Sequence, residues 1–260
     1  MIKGIIVSLA IAAILLTIFL LWRREQKKLK AYILPGSTKF LLYNYVPYYR
    51  NLTAEQKAKF EERMRDFLAR TKVTGVSGVI VHDIDRVFIA ASAIMLLYAY
   101  PKSRYYNLDE ILLYPGSFNK YYDTDGPWRN IAGMVGTGVL HRQMILSQQA
   151  LRAGFLFPDN THNTAIHEFA HLIDKADGAI DGIPDYLLNK RTKKVWKERM
   201  PWYIQAIRQG ITDINPYGAT NESEFFAVIT EYYFKQPEHM KALYPELYGL
   251  VHNMYQPNAA

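Results

Sequence analysis

The sequence has no cysteine among its 260 residues. That excludes a disulfide framework, a thiol nucleophile and any zinc site built on sulfur. It has no internal repeat and no low-complexity tract, so the chain is neither a solenoid nor a disordered linker. Charge of one sign is also scarce over most of its length. The formal net charge is +7, but residues 1–30 hold six basic side chains and one acidic, so the rest carries only +2. Without a basic domain there is no case for a nucleic-acid partner. The stretch Gly133–Gly138 holds three glycines, but no Lys-Ser/Thr follows it, which excludes a phosphate loop.

What the sequence does have begins with a charge-free run. Residues 4–22 read GIIVSLAIAAILLTIFLLW, and as a helix they would be about 28 Å long, close to the thickness of a bilayer's hydrocarbon. The run continues directly into Arg23-Arg24 with no small-residue cleavage site beyond it, which speaks against a cleaved signal peptide. Lys3 alone precedes it, whereas Arg23, Arg24, Lys27, Lys28 and Lys30 follow. These features predict a single-pass transmembrane helix in the cytoplasmic membrane. The basic flank would meet anionic lipid and the large domain would face the cytoplasm.

Residues 31–52 read as a connector with Pro35-Gly36 and several tyrosines. Thr53-Ala54-Glu55-Gln56 has the spacing of a capping box, and the helix it opens places Phe60, Met64, Phe67 and Leu68 on one face. Residues 75–82, 110–114 and 143–147 read as strands, and 86–99 as a buried helix. Later helices are expected over about 187–209, with Pro201 starting or kinking a helix, and over 221–235 and 238–255. Strands come mainly early and helices mainly late, so the expected class is α+β rather than a doubly wound sheet. The predicted units are an anchor and basic segment (1–30), the connector (31–52) and one domain (53–260).

The chemistry centres on residues 164–174, TAIHEFAHLID. On a helix, His167 and His171 stand about 40° apart on one face, so both imidazoles can aim at one ion. Glu168 borders that face, where a carboxylate can take the proton of a water acidified by zinc. From seven His and twelve Glu, an accidental H-E-x-x-H arises in about one such chain in a hundred. The apolar surround of Ala165, Ile166, Phe169, Ala170, Leu172 and Ile173 suits a dry site rather than a surface accident. Zinc needs a third protein ligand. His82, His141, His162, His239 and His252 are poorly placed for it. Glu224 and Glu231 share a helical face seven residues apart, and spacing alone divides the role between them. Asn221-x-x-Glu224 would serve equally as a helix cap. Asp174 lies on the His167 face as a candidate acceptor for a ligand histidine.

Together with INPYGATNESEFFAVITEYYF (214–234), ILLYPGSF (111–118) and MILSQQALRAGF (144–155), the motif strongly resembles the Mlc titration factor family of zinc metallopeptidases. The catalytic domain of that family is similar to that of lethal-factor-type toxins. The resemblance spans roughly residues 50–245. It implies a zincin-like domain, one Zn2+ per chain held by His167, His171 and Glu224, and Glu168 as general base. The family's third ligand is a glutamate seven residues after a tyrosine, here Glu224 after Tyr217, and Tyr217 would stabilise the transition state. The implied activity is hydrolysis of peptide or protein amides, with an aminopeptidase hint. A protein regulator is a further implied partner, because the family is named for sequestering a repressor. Zincin-type peptidases hold substrate as an added strand, and the strand at 143–147 is the one expected to receive it. The rival reading is a binding module that captures a regulator, with hydrolysis secondary.

Overall fold

The computed structural model describes residues 2–157 and 160–257, leaving aside the side chains of residues 2–9, 26, 28, 30 and 139. Helix α1 (Ile2–Ala31) leads into two short helices, α2 (Thr38–Tyr45) and α3 (Pro47–Arg50). Next come α4 (Ala54–Arg70), β1 (Lys72–Gly75), α5 (Asp83–Leu97), β2 (Glu110–Tyr114), β3 (Gly133–Val135) and β4 (Gln143–Ser147). The remainder is helical: α6 (Gln148–Leu156), α7 (Thr164–Asp174), α8 (Lys190–Arg208), α9 (Glu222–Lys235), α10 (Pro237–Leu243) and α11 (Pro245–Tyr255). The result is a mixed α/β fold with a small sheet and many helices.

The sheet has four strands in the order β1-β2-β4-β3. The first three are parallel, and β3 runs antiparallel to β4 along one edge. The connection from β1 to β2 passes through α5, the most apolar helix of the domain, which packs on α2, α4, α6 and α7. Its fully buried Val87, Phe88, Ile89 and Leu96 each contribute about 1.5–3 kcal/mol relative to exposure. Asp85, itself fully buried, accepts a bidentate pair from Arg152 at 2.7 and 2.9 Å, which ties α6 to the start of α5.

Several expectations meet their local physics. The capping box at Thr53 and Gln56 forms with both reciprocal hydrogen bonds, and Phe60, Met64, Phe67 and Leu68 are buried. The strand expected over 75–82 lies earlier, at Lys72–Gly75. Ser77 and Gly78 adopt left-handed backbone (φ 54° and 80°), which turns the chain out of the sheet before α5 begins. The glycine-rich stretch that begins at Gly133 supplies β3. The connector is part of the domain, because Leu42, Val46 and Tyr49 are buried in its main core. The final expected helix is two, α10 and α11, divided where Pro245 lacks an N–H and opens α11 at its first position. Pro201 lies inside an uninterrupted α8.

The transmembrane helix expected over residues 4–22 is not met in the structure. Among the described residues, no helix is long and apolar enough to cross a membrane. The side chains of residues 4–9 of that run fall outside the described residues. Residues 10–22 of the run continue α1. Within it Ile11, Leu15, Phe19 and Trp22 are exposed. Glu25 then pairs with Arg70 and Arg104, fastening the end of α1 to the domain.

Candidate active site

Helix α7 carries the H-E-x-x-H motif. Asn163 caps it, accepting from the Ile166 N–H at 3.1 Å. Its apolar face is buried, and Phe169 packs against Phe67 and Tyr105 at ring-centroid distances of 5.8 and 4.9 Å. That packing fixes the helix's rotation and turns His167 and His171 toward the start of α9. Asn221 caps α9 by accepting from the Glu224 N–H at 2.9 Å. The capping role weighed against Glu224 is thus real for its backbone, while its carboxylate points at the two imidazoles.

The three groups converge. His167 Nε2 lies 3.0 Å from Glu224 Oε2, His171 Nε2 lies 3.3 Å from the same oxygen, and the two Nε2 atoms are 3.1 Å apart. Among the described residues this is the only set of three or more histidine or carboxylate groups placed to share one metal ion. A tetrahedral zinc with bonds of about 2.0–2.1 Å needs ligand atoms about 3.3 Å apart, so the donor set fits after a shift of a few tenths of an ångström.

The outward nitrogens of the two rings are also fixed. His167 Nδ1 faces Glu231 Oε1 at 2.7 Å, and the other oxygen of Glu231 accepts from the Asn163 N–H at 2.7 Å. His171 Nδ1 faces Ser223 Oγ at 3.0 Å, and that hydroxyl donates to Asp174 Oδ2 at 2.7 Å. Asp174 also accepts from the Ile183 N–H at 3.0 Å. Each Nδ1 therefore carries the proton when the ring is neutral, leaving both Nε2 lone pairs aimed at the common point. Glu231 and Asp174 hold imidazoles in place, one directly and one through Ser223. Spacing had left Glu231 a candidate for the ligand role and had given no sign of Ser223.

The electrostatics follow from crowding without a cation. Burial alone would lower the His167 pKa, but hydrogen bonds to Glu224 and Glu231 outweigh it and hold the group up at about 10. Burial opposes charge on Glu224 as well, yet the two imidazoles bring it down to about 2. Glu168 is buried, and desolvation raises its pKa against the pull of His167 and His171. A carboxyl raised in this way is better matched to general-base work near neutrality.

Tyr217 lies in a short 3-10 turn, Pro216–Ala219, whose start is held by Asn215 Oδ1 accepting from the Tyr217 N–H at 2.9 Å. Its hydroxyl is 3.4 Å from Glu224 Oε1, its ring is 6.0 Å from the His167 ring, and it is 53% exposed at the mouth of the site. His167, Glu168, His171, Tyr217 and Glu224 border one cleft of about 410 Å³, whose walls include Gly133, Val135, Lys175 and Ile180. The remaining described histidines lie elsewhere. His162 pairs with Asn215, His239 with Asp213, and His252 with Tyr233.

Strand β3 forms the far wall of the cleft. Ser147 N donates to Ala132 O, and Gly136 N donates to Gln143 O. By antiparallel alternation, Gly133 and Val135 direct their own N–H and C=O groups away from β4, along the open edge. The expectation that 143–147 receives a peptide strand is corrected here. That segment is β4, paired on both sides by β2 and β3, and Leu146 is fully buried. It has no free edge to offer.

A motif helix with two converging histidines, a carboxylate supplied by a second helix and a sheet edge across the cleft define the class as a metallopeptidase fold. Comparison with known proteins agrees. The chain belongs to the glucose-regulated metallo-peptidase M90 family, whose model matches residues 19–256. It is 30% identical over 246 residues to a Synechocystis protein, "Uncharacterized protein slr2042", covering 90% of this chain and 88% of that one. It is 24% identical over 227 residues to Mlc titration factor A of Pectobacterium atrosepticum, covering 81% and 83% of the two chains. It is 26% identical over 235 residues to Mlc titration factor A of Escherichia fergusonii, covering 82% and 83%.

Proposed function

We propose that the chain is a zinc-dependent peptidase in which His167, His171 and Glu224 hold one Zn2+ and Glu168 is the general base. The observation that carries this reading is the convergence of three ligand atoms, 3.0–3.3 Å apart, beside a buried glutamate and an open strand edge. When bound, zinc would polarise the scissile carbonyl and acidify a water. Glu168 takes the proton of the attacking water and hands it to the leaving amine. Tyr217, exposed and close to Glu224, donates its O–H to the oxyanion that develops on the carbonyl. The outward N–H and C=O groups of Gly133 and Val135 pair with the peptide and hold it extended across the site. Glu231 and the Ser223–Asp174 pair keep both imidazoles in the tautomer that binds metal. The test is a peptide panel on zinc-loaded protein. Parent protein cleaves amide bonds, and Glu168→Gln keeps its zinc but does not cleave. Full activity in that variant removes the mechanism.

The N-terminal run enters the same proposal as a membrane anchor, with the domain on the cytoplasmic side. Its support is the charge-free stretch 4–22, the five basic residues after it and the exposure of Ile11, Leu15, Phe19 and Trp22. Alkaline extraction of membranes and a C-terminal reporter test it. Release into the soluble fraction or a periplasmic signal refutes it. The name of the relatives called Mlc titration factor A supports a second reading, capture of a regulatory protein. Capture that survives both Glu168→Gln and chelation assigns that role to the surface and not to the catalytic chemistry.

A further inference from the structure

Gly133 stands in β3 directly opposite the general base of α7. A Cβ added at this position would meet Glu168 Cγ at 2.7 Å, Glu168 Oε1 at 2.7 Å and Thr164 Cγ2 at 2.7 Å. All three distances are well inside van der Waals contact, so something must move. Thr164 is β-branched in the first turn of α7, where its rotamers are few, and the helix beneath it is locked by Phe169 against Phe67 and Tyr105. The movable group is the Glu168 side chain, which is buried at the wall of the cleft. No left-handed backbone explains the glycine, since Gly133 is absent from the residues with positive φ and occupies a regular strand. In a strand, glycine is otherwise a cost in backbone entropy with no side chain to pack.

We propose that Gly133 is a positioning residue for the base, and that the missing side chain is its contribution. The empty volume lets the Glu168 carboxylate and the open edge of β3 approach the same point. A peptide paired to that edge then passes within reach of the base and not a side chain's width away. Any larger residue at 133 displaces the Glu168 carboxylate while leaving the ligand atoms of His167, His171 and Glu224 where they are. This inference rests on the peptidase reading for its catalytic consequence but not for its steric one.

The test is Gly133→Ala, measured in two ways on the full chain. With zinc added, the variant should hold one zinc as the parent does, and kcat should fall by about a hundredfold, the scale of a misplacement of about 1 Å in a catalytic group. Without metal, it should melt below the parent. A glycine present for backbone reasons alone predicts the reverse, equal or higher melting and unchanged turnover, because alanine loses less entropy on folding. Glu168→Ala supplies the second arm by removing Cγ and Oε1. In that background the melting penalty of Gly133→Ala should shrink by more than half, a coupling expected only if the two side chains compete for one space. Parental kcat with zinc bound overturns the proposal. So does a melting penalty unchanged by Glu168→Ala, and so does loss of zinc together with activity. If the parent cleaves no peptide, the peptidase reading fails, and the metal-free melting cycle still decides the steric claim.

Discussion

Replacing Glu231 with glutamine changes one atom at the back of the site. The carboxylate accepts two hydrogen bonds, from His167 Nδ1 at 2.7 Å and from the Asn163 N–H at 2.7 Å. An amide has one oxygen and one NH2, so it can satisfy only one of these donors. If the oxygen faces Asn163, the NH2 faces the imidazole and favours the tautomer with a bare Nδ1. That tautomer puts the ring proton on Nε2, at the point where metal should bind. If the oxygen faces His167, the buried Asn163 N–H meets another donor and goes unpaired, which costs about 1–3 kcal/mol. Loss of such an orienting partner costs about 10–100-fold in metal affinity, or about 1.4–2.7 kcal/mol. Chelator competition should therefore show zinc binding weakened by one to two orders of magnitude, and the metal-free variant should melt below the parent. Zinc affinity within twofold of the parent, with an unchanged melting temperature, refutes the assigned role of Glu231.

Zinc binding near pH 7.5 should release about one proton, because the metal-free His167 is held up at about 10 and must be neutral to bind metal. Calorimetry in buffers of different ionisation enthalpy counts that proton, and zero release contradicts the charge state. Metal-free protein should also lose stability as pH rises from 6.5 through 10. His167 has a raised folded pKa, so its contribution is complete below the unfolded value and disappears above the folded one. A melting temperature that climbs across that window contradicts it. Tyr217→Phe should lower kcat about a hundredfold to a thousandfold with zinc content and KM nearly unchanged, the range for losing one oxyanion donor. A change confined to KM would make the tyrosine a binding group only. Ser223→Ala breaks the link from His171 to Asp174 and should weaken zinc affinity less than Glu231→Gln does, as read by the same chelator titration.

The motif helix was legible because its chemistry is local. Two histidines four apart and an apolar surround describe α7 without knowledge of anything else. The proposed third ligand is not readable from spacing, since Glu224 and Glu231 share a helical face. What separates them is the angle at which α9 crosses α7, a tertiary quantity that puts residue 224 at Nε2 and residue 231 at Nδ1 of the same ring. Family resemblance pointed to Glu224, and the geometry shows why both carboxylates face the histidines. Gly133 was hidden by its neighbours, because a stretch with three glycines reads as a turn, and only pairing with β4 makes it a strand. The strand expected to receive substrate is interior to the sheet, since strand order is not written in strand sequence. The packing of residues 31–52 is hidden for a similar reason. Leu42, Val46 and Tyr49 are too sparse to mark a core until α4 and α5 pack beside them.

The central claim is that two imidazoles and the carboxylate of Glu224 surround one zinc. X-ray absorption at the zinc edge of the loaded protein reads that shell directly. The account predicts two histidine nitrogens and the remainder oxygen, all at about 2.0–2.2 Å, with one fewer oxygen neighbour or lost occupancy in Glu224→Ala. A shell made of oxygen alone, or one unchanged by that substitution at full occupancy, would contradict it.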